Sequence, residues 1–213
     1  MRKKEIAASA VEGLKRLYPD AKCSLLYEKD YELLFATRLS AQCTDARVNI
    51  VTRRLFSELR SLEDYINAPI EQIEDIIKSC GLYKTKAKSL KEAAEALVTR
   101  FGGRVPDNME DLLTLSGIGR KTANLILGDI YGKPAVVADT HCIRICSRLG
   151  LTSSKDPYKT EIELKKLLDP SESNDFCHRL VLFGRDICSA RSPKCDACPL
   201  SDFCPKKNLK GGK

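Results

Sequence analysis

The stretch LTLSGIGRKTANLILG, Leu113 to Gly128, joins two apolar segments through a Gly-Ile-Gly turn that is followed closely by a lysine. A lysine after glycines is typical of the P-loop, which binds nucleotide phosphates, but that motif needs glycines where this chain has Leu115 and Arg120. The dinucleotide-binding fingerprint also fails, because Thr122 occupies the position of its third glycine. The turn therefore serves a different ligand.

The same turn is typical of a hairpin of two helices that binds phosphate. We expect the first helix to end at Leu115 or Ser116 and the second to begin near Arg120. Because Gly117 and Gly119 carry no side chains, backbone N–H groups at the start of the second helix can approach a phosphate closely, and the helix dipole adds attraction. Such a hairpin binds a nucleic-acid backbone without reading its sequence.

Lys121 has two interpretations. An ammonium at the start of a helix lies near the positive end of the dipole, which disfavours its charge, and partial burial in a cleft would act in the same direction. An uncharged lysine amine is a nucleophile that can form a Schiff base. The alternative is a lysine that only binds phosphate.

Asp139 is the candidate partner of Lys121, which it follows by eighteen residues. It lies in VVADTH, directly before a predicted helix, where an aspartate commonly acts as the N-cap. A reversing connection after a helix of about ten residues would bring Asp139 back towards the start of that helix. There the carboxylate could accept a proton from Lys121 or balance positive charge on a sugar; the alternative is a cap and nothing more.

Four of the ten cysteines form the pattern C-x6-C-x2-C-x5-C, and the other six are scattered and predicted to be small buried residues. Four thiolates on short loops can bind zinc or an iron–sulfur cluster, and a single C-x2-C pair favours the cluster, since zinc sites usually pair two such knuckles. The loop between the first two ligands carries Arg191 and Lys194, which can contact DNA phosphates or remain solvated surface charges. The four candidate ligands are Cys188, Cys195, Cys198 and Cys204.

Composition excludes several classes of protein. The chain has 213 residues, of which 43% are hydrophobic, so it can bury a core and is not a disordered chain. Its apolar runs are shorter than the roughly 18 residues of a membrane span, and the start MRKKEIAASAVEG lacks the apolar region of a signal peptide. We therefore expect a cytoplasmic protein. The net charge of +7 suits a polyanionic partner, although an ordinary soluble protein can carry it too.

Helical periodicity runs through nearly the whole chain. In DARVNIVTRRLFSEL (45–59), apolar residues recur on one helical face behind a capping Thr44 or Asp45. Only PAVVA (134–138) is β-branched, and it is too short to build a sheet. The sequence therefore predicts an all-α fold. Further helices are predicted over 69–81, 84–103, 106–115, 121–130, 140–149, 158–168 and 173–183.

The sequence resembles the endonuclease III family, the bifunctional DNA glycosylases and abasic-site lyases of the helix-hairpin-helix superfamily. The resemblance extends in order over nearly the whole chain. Related adenine-mismatch glycosylases share the cysteine spacing but lack the lysine, so Lys121 favours the bifunctional family. Four blocks carry the resemblance: LLFATRLSAQCTDARVN (33–49), LSGIGRKTANLIL (115–127), VADTHCIRICSRLG (137–150) and the cysteine pattern (188–204).

The resemblance implies two helical domains with DNA in the cleft between them. A six-helix bundle over residues 22–132 would contain the hairpin, and residues 1–21 with 133–213 would form a domain around a [4Fe–4S] cluster held by the four cysteines. The expected partner is double-stranded DNA with a damaged base or an abasic site, bound by a monomer.

The resemblance also implies the chemistry. A damaged base, an oxidised pyrimidine, is flipped out of the duplex. Lys121 attacks the sugar C1′ and expels the base, the resulting imine permits β-elimination that nicks the strand, and Asp139 assists. Gln42 fills the vacated space in the duplex and Leu82 acts as a wedge beside it. Further DNA contacts are expected from Gly117, Gly119, Lys121, Thr122, His141, Arg191 and Lys194.

The chain departs from the family pattern at three positions. Ala138 stands where a valine is usual, Cys177 where a second histidine is expected, and Cys43 where a smaller or hydroxyl-bearing residue is common. None of these positions is a predicted catalytic group, so they bear on lesion preference and packing. Two other kinds of function also fit the motifs: a DNA-binding module without chemistry, and an electron-transfer or redox-sensing protein built around the cluster.

Overall fold

The structure, a computed structural model, describes residues 2–209 and contains no strand in that range, which confirms the predicted all-α class. It has eleven α-helices and three short 3-10 helices there. The first six α-helices are α1 (Lys3–Leu17), α2 (Asp30–Leu39), α3 (Asp45–Glu58), α4 (Leu62–Asn67), α5 (Ile70–Ile77) and α6 (Tyr83–Phe101). The others are α7 (Met109–Leu113), α8 (Arg120–Asp129), α9 (Thr140–Arg148), α10 (Pro157–Lys165) and α11 (Ser173–Asp186).

Contacts within the chain define two compact units. One is continuous, Cys23–Tyr131, and contains α2 to α8. The other combines Met1–Lys22 with Gly132–Lys213 and contains α1 and α9 to α11. The first unit therefore has seven α-helices where the resemblance implies six, because Pro69 separates α4 from α5 and α7 is a helix of only five residues.

The core of the continuous unit is built around α2. Seven of the ten residues of this helix are buried, so it has no solvated face. Phe35 of α2 and Tyr65 of α4 meet edge to face with ring centroids 4.8 Å apart, and Tyr31 packs against both, tilted to Phe35 and edge-on to Tyr65. The long helix α6 packs against α4 and α5. This packing holds the two ends of α2 and the start of α6 in fixed places.

The other unit packs α11 against α1 and α9. Its core includes Leu14 from α1, Ile145 from α9 and Phe176 from α11, all fully buried. A charged network also joins α1 to α11: Lys15 donates to Glu172 at 2.6 Å, and the buried Arg179 donates to Glu172 at 3.0 Å. Removing one partner would leave the Arg179 guanidinium buried with fewer acceptors.

Several predicted helix ends have the expected chemistry. Thr44 caps α3 by accepting a side-chain hydrogen bond from the Arg47 amide at 3.3 Å, and α6 is followed directly by the C-cap Gly102 in the left-handed conformation, with φ of 59°. The helix predicted over 158–168 ends earlier, at Lys165, because Leu167 N bonds Leu164 O in a tight i→i+3 turn of 2.9 Å. In residues 2–209 no helix is long and apolar enough to cross a membrane.

Candidate functional site

The Gly-Ile-Gly hairpin lies between α7 and α8. The first helix ends at Leu113, earlier than the predicted Leu115 or Ser116, because the chain tightens into i→i+3 bonds at Thr114 and Leu115. Ile118 N closes a further bond of this kind, to Leu115 O at 3.1 Å. The turn is therefore a compact one, and α8 begins at Arg120 as expected.

The two glycines of the hairpin have different reasons to be glycine. Gly117 has φ of +73°, and a Cβ atom there would lie 2.1 Å from Nε of Arg38. Gly119 is the N-cap of α8, and a Cβ atom there would meet nothing within 4 Å. Gly117 is thus required by the protein's own packing, whereas Gly119 leaves open space beside the amides at the start of α8.

Lys121 is the second residue of α8, and its side chain is exposed. The opposite face of α8 is anchored in the core by Ala123, Ile126 and Leu127, which are buried. Thr122 is half-buried between these two faces. The helix therefore presents the Lys121 amine outward from a rigid base, two residues after the open Gly119 position.

Asp139 is the N-cap of α9, in the second unit. Its Oδ1 accepts a hydrogen bond of 2.7 Å from the Cys142 amide, and the residue is half-buried. The preceding segment, Ala135 to Ala138, is buried but forms neither a helix nor a strand. The β-branched run PAVVA (134–138) is thus a mostly buried connection that directly precedes the N-cap residue Asp139.

Three buried thiols lie together beneath the start of α9. Cys142 contacts both Cys146 and Cys177, and its hydrogen bond with Cys146 together with burial raises the pKa of Cys142 well above that of an ordinary thiol, although the bond with Cys177 acts in the opposite direction. The pKa of Cys177 is raised in the same way by its bond with Cys142 and by burial. All three side chains are buried in the core, as predicted for the scattered cysteines. Of the other scattered cysteines, Cys80 is buried, but Cys23 and Cys43 are only half-buried.

The four patterned cysteines line one cavity in the second unit. Apolar side chains of Phe183, Ile187 and Leu200 line it with them. Among residues 2–209 no group of three or more histidine, cysteine or acidic side chains is spaced to hold a single metal ion, so the fit rests on the four thiols that share the cavity. Soft sulfur donors around a largely apolar pocket suit an iron–sulfur cluster.

Arg148 is a residue of this centre that the sequence reasoning missed. Its side chain is 7% exposed and lies under the loop that follows the first ligand. One terminal nitrogen donates to the Cys188 sulfur at 3.2 Å and to Ser189 O at 2.7 Å, and the other donates to Ala190 O at 2.8 Å. Nothing in the sequence separates Arg148 from a surface charge on α9, so no local signal could have found it.

Arg144, one helical turn earlier in α9, supports the same region. It donates to Cys188 O at 3.1 Å and lies 3.1 Å from Nδ1 of the half-buried His141. Gly184 of α11 permits this contact, because a Cβ atom there would lie 2.3 Å from the same His141 nitrogen. The predicted DNA-contact residue His141 is thus held against α11. Arg191 and Lys194 are exposed on the loop between the first two cysteines.

Gln42 and Leu82 share an unusual conformation in the first unit. Both are exposed, and both have positive φ, 58° at Gln42 and 49° at Leu82. A left-handed conformation costs a residue with a Cβ atom about 1–2 kcal/mol. Leu82 also leaves an apolar side chain 58% exposed. Residues held in a strained backbone conformation cluster at functional sites. At Leu82 the strain coincides with an exposed apolar side chain.

Comparisons with known proteins agree with this arrangement. Residues 35–170 match the model of the HhH-GPD superfamily base excision DNA repair proteins, and residues 188–204 match the iron–sulfur binding domain of endonuclease III. Endonuclease III of Synechocystis is 43% identical over 95% of this chain and 93% of its own length. Endonuclease III of Bacillus subtilis is 41% identical over 92% and 91%.

A solved structure of a trapped covalent intermediate between endonuclease III and DNA is 40% identical to this chain. It superposes with a TM-score of 0.91 over 97% of both chains. The match to the iron–sulfur binding domain spans residues 188–204, the segment that contains the four cysteines, and together with the endonuclease III relatives it confirms the predicted [4Fe–4S] cofactor. The chain therefore belongs to the endonuclease III family of the HhH-GPD superfamily of base excision DNA repair proteins, the DNA glycosylases that carry an iron–sulfur cluster.

Proposed function

We propose that this glycosylase removes oxidised pyrimidines from double-stranded DNA and then cuts the strand at the abasic site, with Lys121 as the nucleophile. The observation that carries the proposal is the exposed Lys121 amine on the rigid first turn of α8, two residues from the open position at Gly119. The relative whose covalent intermediate with DNA was trapped supports a covalent mechanism. A second, purely DNA-binding role would not need a nucleophile there.

The reaction has two stages. The damaged nucleotide is flipped out of the duplex, the neutral Lys121 amine attacks C1′, and the bond from C1′ to the base breaks, so that the base leaves with the bonding electrons and gains a proton. The attached nitrogen gives a proton to a base, and its lone pair then breaks the bond from C1′ to O4′, so that O4′ takes up a proton as a hydroxyl and a protonated imine joins Lys121 to the opened sugar. Removal of a proton from C2′ then expels the 3′ phosphate oxygen, which nicks the strand, and water releases the lysine.

Asp139 assists this chemistry from the cap of α9. Its Oδ1 is already engaged by the Cys142 amide, which fixes the orientation of the carboxylate. A carboxylate held in this way can accept the proton that Lys121 loses, or balance the positive charge that develops on the sugar. The cap and the catalytic role are therefore compatible in one residue.

DNA is held mainly through its backbone. The amides at Gly117 and Gly119 with Thr122 receive a phosphate at the start of α8, and the net charge of +7 favours the polyanion.

Gln42 and Leu82 enter the duplex where the base has left. In the other unit, His141 with Arg191 and Lys194 contacts the backbone. Because none of these groups reads a base edge in the grooves, binding is independent of sequence.

The [4Fe–4S] cluster, when bound by the four cysteines, supplies covalent cross-links to a segment with little regular structure. Between Cys188 and Cys204 the described chain has one 3-10 helix, Cys195–Ala197. The bonds from the four sulfurs fix the loop that carries Arg191 and Lys194, so two cations are presented to phosphate in a defined geometry. The reaction steps at C1′ need only Lys121 and Asp139.

Borohydride trapping on DNA with one abasic site tests the proposal. The reductant converts an imine into a stable amine, so the wild-type protein should form a covalent adduct and Lys121→Gln should not. Lys88→Gln is the matched control, since Lys88 is exposed on α6 and pairs only with Glu92 of the same helix at 3.7 Å. No adduct with the wild type, or an equal yield with Lys121→Gln, would overturn the assignment.

A further inference from the structure

Lys86 is a buried lysine in the first turns of α6, outside the groups that the reaction uses. Its side chain has 0% exposure. Its ammonium donates three hydrogen bonds, to Leu39 O at 2.8 Å, to Ala41 O at 2.7 Å and to Cys80 O at 2.8 Å. An ammonium has three donors, so its capacity is fully used by these three carbonyls.

The three carbonyls belong to two segments that are distant in the sequence. Leu39 is the last residue of α2 and Ala41 directly precedes Gln42. Cys80 ends the 3-10 helix that leads, through Gly81, to Leu82. One side chain thus joins the segment that carries Gln42 to the segment that carries Leu82.

Both joined segments are strained at the residues they present. Gln42 has φ of 58° and Leu82 has φ of 49°, whereas Gly81, with φ of 67°, adopts the turn without strain because it has no Cβ atom. A strained backbone persists only where its surroundings hold it in place. The thiols of Cys43 and Cys80 also hydrogen-bond to each other, which adds a second link between the segments. The carbonyls next to the strained residues are therefore fixed from inside the protein.

A lysine is a costly choice for a buried position. Removing an ammonium from water is unfavourable unless hydrogen bonds replace the hydration, and here burial lowers the pKa of Lys86. An apolar residue of similar length would fill the same space without that cost, but it could not bond to carbonyls. The three bonds, rather than the volume, distinguish lysine at this position.

We propose that Lys86 is a positioning residue that fixes Gln42 and Leu82 relative to each other, so that both can enter the duplex when the damaged base leaves it. This inference rests on the proposed function, because it assumes that these two residues contact DNA. It predicts a specific defect. Loss of Lys86 should impair the step in which the duplex is opened, and should spare chemistry on DNA that has no duplex to open.

Two substrates separate those steps under single-turnover conditions. One is a duplex with a single thymine glycol, and the other is a single strand with one abasic site. Lys86→Met should slow base removal from the duplex by roughly ten- to a hundredfold, because displacement of positioning groups has effects of that size. Cleavage of the abasic single strand should stay at the wild-type rate.

The matched control is Lys91→Met, on the same helix. Lys91 also donates to a backbone carbonyl, Ala68 O at 2.5 Å, but in a segment without Gln42 or Leu82. It should leave both rates unchanged. Equal losses of Lys86→Met on the two substrates would show a purely structural role and overturn the proposal. If the wild type itself processed neither substrate, the proposed function would fail, which is a different outcome.

A double-mutant cycle gives an independent readout. In a Gln42→Ala/Leu82→Ala background, Lys86→Met should cause little further loss on the duplex, since the groups it positions are absent. A full additive loss there contradicts the proposal. If Lys86→Met does not fold by circular dichroism, Lys86→Gln, which keeps two N–H donors, replaces it with the same expected substrate dependence. Failure of both variants to fold would assign Lys86 to stability alone.

Discussion

A Cβ atom at Gly117 would lie 2.1 Å from Nε of Arg38, so the turn of the hairpin rests directly on a guanidinium from α2. The same Arg38 donates to Ser89 Oγ at 3.3 Å, which ties its position to α6. The shape of the proposed phosphate site is therefore set by the core of its unit as well as by the turn itself.

Gly117→Ala should weaken DNA binding and destabilise the protein. The added methyl group meets Arg38, and the residue must also adopt φ of +73°, so we expect a loss of about 1–3 kcal/mol in the free energy of unfolding. Thermal unfolding and binding to abasic duplex measure the two effects. Gly119→Ala is the control for stability: its Cβ atom meets nothing within 4 Å, so DNA affinity should fall while stability stays nearly unchanged.

Asp139→Asn should separate the two roles of Asp139. Asparagine caps helices about as well as aspartate, so stability should change by less than about 0.5 kcal/mol, but the negative charge is lost and base removal should slow at least tenfold. Asp139→Ala removes the oxygen that the Cys142 amide bonds and should cost about 1 kcal/mol in addition. Single-turnover rates with thermal unfolding test this. A wild-type rate in Asp139→Asn would exclude the carboxylate from the mechanism.

Leu82→Gly should make the protein more stable and less active. Glycine adopts the left-handed conformation without steric cost, and the lost side chain is 58% exposed, so the relief of strain should outweigh the larger chain entropy of glycine and raise the free energy of unfolding by up to about 1 kcal/mol. Base removal from duplex DNA should slow, since the wedge is gone. Leu26→Gly is a matched control: Leu26 is 60% exposed but has no positive φ, so glycine there should destabilise. A destabilised Leu82→Gly would refute the strain argument.

Arg148→Met should weaken retention of the cluster. The substitution removes the donors that bond Cys188 Sγ, Ser189 O and Ala190 O, and groups that orient metal ligands typically contribute tenfold to a hundredfold in affinity. Iron should therefore be lost faster to a chelator, as followed by the visible absorbance of the protein. Arg16→Met is the control, because Arg16 bonds only a carbonyl of its own helix at 3.4 Å, and its iron release should match the wild type.

The features that were predictable from sequence are those encoded by neighbouring residues. The hairpin glycines, the Thr44 and Asp139 caps and the cysteine spacing all depend on a few adjacent positions. Helical periodicity does not predict α2, since seven of its ten residues are buried and the helix has no amphipathic stripe. The short helix α4 is not predicted either, with only six residues before the Pro69 region.

The buried cations could not be predicted because their partners are distant in sequence. Lys86 bonds carbonyls 45 and 47 residues away, and Arg148 bonds a loop about 40 residues on. On a helix each looks like an ordinary solvated charge. Gln42 and Leu82 were identified only through the family resemblance; their left-handed backbone becomes visible only in the folded chain.

The segment of the four cysteines, residues 188–204, follows α11 in the chain and has little regular structure, although its Leu200 is buried, and this arrangement has a consequence for damage to the protein. The buried residues Leu14, Ile145 and Phe176 all precede Cys188 in the chain, and they pack through α1, α9 and α11. We expect oxidative loss of iron to unfold residues 188–204 first and to leave the helices folded. Inactivation would then be a local, reversible event, open to repair by reinsertion of the cluster rather than by synthesis of a new chain.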